Sequence, residues 1–169
     1  MKRAFVVWIA CVSLACYSMV TKATVPIPGA RTVLAPPGVT LQAVEVGVLA
    51  GINQAGPPPG YDPYHELPEA EFQALIAHAY LDNARWGGWF PEWRAGDVRY
   101  ASVDNWQEYH LLVGVHLDTD QVRIEYIESR NMDEHAGRVN DRARAWMDNL
   151  AFRINQAFIQ IARAPKPSS

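Results

Sequence analysis

Apolar and polar positions alternate most regularly over residues 108–129, EYHLLVGVHLDTDQVRIEYIES. Tyr109, Leu111, Val113, Val115 and Leu117 fall on one parity; Glu108, His110, Leu112, Gly114 and His116 fall on the other. Val122, Ile124 and Tyr126 repeat the pattern after the polar run Asp118-Thr119-Asp120-Gln121. Period two over this length marks two strands with one buried face, and the Asp-rich break marks a tight turn. Pairing Leu117 with Val122, Val115 with Ile124 and Val113 with Tyr126 superposes the apolar faces. A slip by one residue would set apolar side chains opposite polar ones, so the pattern fixes the register. His110, His116, Arg123 and Glu125 then share the opposite, solvated face.

Four further elements follow from the same reasoning. Val44, Val46 and Val48 alternate with Glu45 and Gly47, which predicts a first strand over 41–52. Phe72, Leu75, Ile76, Ala79 and Tyr80 recur at helical spacing and predict a helix over 68–84. Pro68 suits its first turn, Glu69 and Glu71 suit the positive end of its dipole, and Gly87-Gly88 stop it. Val98 and Tyr100 alternate with Arg99 over a strand at 97–104. Ala143, Trp146, Leu150, Ile154, Phe158 and Ile161 make the stripe of a long last helix, capped by Asn140 or Asp141 and ended at Ala164-Pro165. The expected order is β-α-β-β-β-α. This is an α+β fold, a mostly antiparallel sheet with two amphipathic helices on one face, in a single domain over 41–164 followed by a frayed tail at 165–169.

The intervening stretches carry different signals. Residues 1–23 have a basic start at Lys2-Arg3, an apolar run and a small-residue end at Ala23, the features of an export signal cleaved before Thr24. The run Ser13-Leu14-Ala15-Cys16 offers a lipoprotein alternative in which Cys16 carries the lipid, and an uncleaved anchor is a third possibility. Residues 24–40 hold Pro26, Pro28, Pro36 and Pro37 and read as an extended linker. The proline-rich loop 54–68 reads either as a segment offered to a partner, with Tyr61 and Tyr64 as anchors, or as a plain insertion. The aromatic cluster of Trp86, Trp89 and Trp93 would either stack on a sugar ring or lipid headgroup, or seal the edge of the core.

Composition removes several chemistries. Of 169 residues 49% are hydrophobic and 20% charged, ordinary for a globular domain, and the net charge is −3. With no basic stripe to displace phosphate counterions, nucleic acid is not an expected partner. Both cysteines, Cys11 and Cys16, lie in the leader, which excludes a disulfide scaffold, a Cys-ligated zinc and a thiol nucleophile from the rest of the chain. His110 and His116 share a strand face, but six residues at about 3.3 Å each hold them roughly 20 Å apart, too far to share an ion. His116 with Glu125 and Asp118 is a solvated surface group. Ser129, set opposite His110 by the hairpin register, lacks the surroundings of a catalytic triad. No catalytic residue, metal or cofactor is implied.

The helix running to Gly88-Trp89, then Gly96-Asp97-Val98, the hairpin, Ser129, Asn131-Met132, Asn140, Trp146 and Asn149-Leu150 resemble a group of small proteobacterial envelope proteins, described as exported proteins or lipoproteins of uncharacterised function. The likeness runs from Leu75 to Phe158 as a pattern of spaced residues. It implies an envelope location and an α+β fold, with no activity to carry over. The expected function is therefore a non-catalytic envelope binding or accessory protein, periplasmic or lipid-anchored. Its partner would be an envelope protein, lipid or glycan met through Trp86, Trp89, Trp93, His110, His116, Tyr61 or Tyr64. The rival is an envelope hydrolase built on the histidine and carboxylate face.

Overall fold

The computed structural model describes residues 29–81, 88–105, 108–132 and 139–166. The order is β1 (Arg31–Leu34), α1 (Leu41–Asn53), α2 (Glu69–Leu81), β2 (Trp89–Ala95), β3 (Val98–Asn105), β4 (Tyr109–Leu117), β5 (Gln121–Arg130) and α3 (Asp141–Ala162). The five strands form one sheet in the order β1-β5-β4-β3-β2, with every pair antiparallel. The α+β class and the antiparallel sheet are as expected from the sequence. The element order is β-α-α-β-β-β-β-α instead of β-α-β-β-β-α.

The main correction is α1. The run expected as a first strand is a helix, buried from Ala43 to Ile52. Thr40 caps it by accepting from the Ala43 N–H at 3.1 Å, and Gln54 closes it in the left-handed region with φ 54°. A short apolar run is compatible with either a strand or a buried helix. Here the helical reading gives every side of the run a partner. Ala43, Val44, Val48 and Ile52 join the main core against the sheet and α3. Val46 and Leu49 meet Phe72 and Ile76 of α2 in a second cluster. Gly47 and Gly51 face α3 so closely that an added Cβ would lie 2.5 Å from the Phe158 ring and 2.7 Å from the Ile154 Cα. Helix α2 therefore packs on α1, not directly on the sheet; the helices over the sheet are α1 and α3.

Glu45, the lone charge in that run, points at β3. Arg99 Nε and Nη2 donate to its two carboxylate oxygens at 2.6 Å each, and Arg99 Nη1 donates to the carbonyls of Gly96 and Val98. Both side chains are buried, and the fork geometry answers the desolvation that burying two charges entails. The parity of β3 is consequently the reverse of the expected one. Arg99, Ala101 and Val103 face the helices, while Val98 and Tyr100 face outward.

The hairpin register is as expected: Leu117 pairs with Val122, Val115 with Ile124 and Val113 with Tyr126. A bulge follows, after which Leu112 pairs with Glu128 and Leu111 with Ser129. Ser129 thus does not face His110, which lies opposite Arg130. The Ser129 hydroxyl instead bonds the Met132 carbonyl at 2.9 Å and the Tyr126 hydroxyl at 3.0 Å.

Two further expectations change. The stretch 24–40, expected as a linker, contains β1, whose Val33 is buried opposite Val122 on the edge of the sheet. Arg31 forks onto Asp148 of α3 and ties that edge to the helical layer. Trp89 to Trp93, expected as a flap, belongs to edge strand β2. Its irregularity between Pro91 and Arg94 is tolerated because proline sits at sheet edges and bulges. On α3, Asn140 is the cap, and Ala143, Met147, Leu150, Ile154, Ala157, Phe158 and Ile161 form the buried face, with Trp146 only half-buried.

Residues 1–28, hence the export signal and Cys16, lie outside the described residues, as do Trp86, His135 and the side chains of Ala79 and Tyr80.

Candidate binding surfaces

The proline-rich loop is held rather than offered. Gln42 of α1 bonds both backbone groups of Leu67, donating to its carbonyl at 3.0 Å and accepting its N–H at 2.7 Å. The Thr40 N–H bonds the Pro63 carbonyl at 3.0 Å. Tyr61 packs against both apolar clusters and Tyr64 against the larger one, both partly buried. They are therefore supports of the core, not projecting anchors. Burial pushes the Tyr61 phenol up to about 12; the Thr40 hydroxyl, close but not aligned to bond it, opposes this, and the charges of Asp62 and Glu45 add to it.

Three of the residues expected in binding share one surface. Trp93, His110 and His116 lie on the outer face of the sheet, which among the described residues carries no helix. Trp93 stacks on Tyr100 with ring centroids 4.6 Å apart and planes at 16°. Across Gly114 of the central strand, Ile127 and Val98 approach to within contact of where a Cβ would stand. Trp93 is 48% exposed, Ile127 43% and Leu34 73%, so apolar surface extends from β2 to β1.

Charges on this face are paired among themselves. Glu125 is buried between His116 Nε2 and Arg123 Nη2, each at 3.0 Å. Asp104 is bonded by His110 Nδ1 at 2.9 Å, with Arg130 Nη2 at 3.9 Å. Glu92 accepts from the buried Ser102 hydroxyl. The two histidine clusters stand at opposite ends of β4, about 20 Å apart by strand rise, and cannot act on one substrate atom. Among the described residues no three His, Cys, Asp or Glu side chains are grouped to hold a metal, and no helix is long and apolar enough to cross a membrane.

The expected aromatic cluster is divided by strand alternation. Trp89 is buried on the helix side, opposite Val103, while Trp93 is on the outer face. Trp89 lines a cleft of about 450 Å³ with Val103, Asp104 and, from α3, Ala145, Trp146, Asn149 and Arg153. Sequence reasoning passed over this cleft. Its one legible signal was Trp146, Asn149 and Arg153 at i, i+3 and i+7, a single line along the helix. No family model, no curated protein and no solved structure matches this chain.

Proposed function

We propose that this is a non-catalytic binding domain of the cell envelope that engages another protein through the outer face of its sheet. The observation that carries the reading is the apolar surface of Trp93, Tyr100, Ile127 and Leu34, set among charges that already have partners. Such a surface loses little by desolvation and presents Trp and Tyr, the side chains that concentrate binding energy at protein interfaces. An anionic membrane would call for unpaired basic groups; here Arg123 and Arg130 are engaged with Glu125 and Asp104. The envelope location rests on the apolar leader with its basic start.

Position-specific photo-cross-linking in cells tests the proposal. Photoreactive side chains at Leu34 and Ile127 should trap one discrete protein, and the same group at Gln73 on α2 should not. Adducts of equal yield from Gln73, or none from the outer face, would defeat the reading. An adduct at twice the chain mass would identify a second copy as the partner, and a lipid or glycan adduct would replace the protein. Accessibility of the folded domain to protease only after outer-membrane disruption should accompany a positive result; protection by an intact inner membrane would remove the envelope location.

A further inference from the structure

The cleft between α3 and the ends of β2 and β3 lies on the helix side of the sheet, opposite the proposed partner face. Its walls are unlike one another. Trp89, Trp146 and Val103 make an apolar and aromatic lining, while Asn149 and Arg153 bring polar groups from successive turns of α3. Arg153 is the unusual member. Its Nη1 is buried from solvent and has no hydrogen-bond partner. Burial pulls the guanidinium down from its ordinary value. A guanidinium keeps its charge at any physiological pH, so the fold holds a partly desolvated cation with an open donor. Elsewhere among the described residues, Arg31, Arg99 and Arg123 each face a carboxylate. An open donor of this kind costs free energy in the empty protein, and an acceptor that enters the cleft recovers it.

We infer that the cleft is a second binding site, for a small ligand that presents a single carboxylate to Arg153 and lays a ring or apolar body between Trp89 and Trp146. One open nitrogen matches one carboxylate rather than a doubly charged phosphate. Asp104 also lines the cleft, and its negative charge disfavours a dianion. The Asn149 amide is placed to take a second polar atom of the same ligand. Arg153 also borders a smaller hollow of about 200 Å³, lined by Ala50, Gly51, Gln156 and Gln160 among others. That hollow has no pair of facing rings.

The test is a titration of the full chain, followed by NMR, with indole-3-acetate and with its neutral counterpart indole-3-acetamide. The acetate should move the indole N–H signals of Trp89 and Trp146 and leave that of Trp93 in place. It should bind about tenfold more tightly than the amide, the ratio a charged hydrogen bond supplies. Arg153→Gln should abolish the difference between the two probes. Ala145→Trp, at an exposed position that fills the cleft without touching Arg153, should abolish binding of both and leave the fold intact. Equal affinity for the two probes, shifts confined to Trp93, or no shift up to about 10 mM would each overturn the assignment. The last result would mean that solvent alone fills the cleft.

Discussion

Glu45 and Arg99 show how one residue can be read in opposite ways. In the sequence each is a polar position between apolar ones, which suggests the solvated side of a strand. In the fold they are the most deeply buried ion pair described, closed by two 2.6 Å hydrogen bonds. Removing one partner leaves a buried charge without its counterion, whereas replacing both with apolar groups removes the desolvation as well. Arg99→Met should destabilise the domain by about 3–5 kcal/mol in urea unfolding, and the double change Glu45→Met with Arg99→Met should recover most of that loss. A double variant as unstable as the single one would show that the pair does more than satisfy its own charges. Tyr61 gives a pH-dependent counterpart. Its proton is held more firmly in the folded state, from an ordinary 10.0 up to about 12. The resulting stabilisation is complete below pH 10 and is lost as pH rises towards 12. Tyr61→Phe should therefore leave the melting temperature at pH 7 unchanged or slightly higher and make its alkaline decline shallower. An alkaline decline identical to that of the parent would assign the transition to another group.

At the scale of elements, α1 is the helix on which the others converge, and Gly47 and Gly51 set its distance from α3. A side chain at Gly51 would meet the Ile154 backbone, which cannot rotate away as a ring can. Gly51→Ala should thus cost about 1–3 kcal/mol of stability by overpacking, although alanine favours a helix by about 1 kcal/mol in an open position. A gain in melting temperature would mean that α1 and α3 can separate without penalty. The hairpin β4–β5 was legible because its two strands carry complementary period-two patterns and an Asp-rich turn, so that only one register buries both. Helix α3 was legible for the analogous reason, a single apolar stripe over five turns. Helix α1 was not. Its run is apolar on all sides, and periodicity identifies an element only when one side differs from another. β2 was missed because its pattern is interrupted by Pro91 and a bulge, and β1 because four residues are too few to show a period.

For the whole molecule, the consequence is where the domain begins. With β1 in place, Val33 and Val39 are core residues and Arg31 grips Asp148 across the layers. A chain begun at Leu41 should lose the burial of both valines, about 1.5–3 kcal/mol each, and melt markedly lower than one begun before Gly29. Equal melting temperatures would return β1 to the status of a linker. The Arg31 contact adds an acid dependence. Its hydrogen bond holds Asp148 below the ordinary value of 3.8, so the stabilisation is present above that pH and is lost as pH falls through the lower folded-state value. Asp148→Asn should remove this part of the acid transition. An unchanged acid limb would place the loss on other carboxylates.

By itself the sequence determined the fold class, the hairpin and its register, the amphipathic last helix and the absence of cysteine chemistry beyond the leader. Each of these depends on local alternation or on composition. Tertiary structure alone decided that residues 41–53 form a helix, that Arg99 faces inward, that Trp89 and Trp93 part to opposite faces of the sheet, and that Arg153 stands unpaired beside a cleft. These outcomes are set by what each side chain finds across the fold. A run apolar on every side, or a lone charge within one, has no preferred conformation until its neighbours from distant parts of the chain are in place.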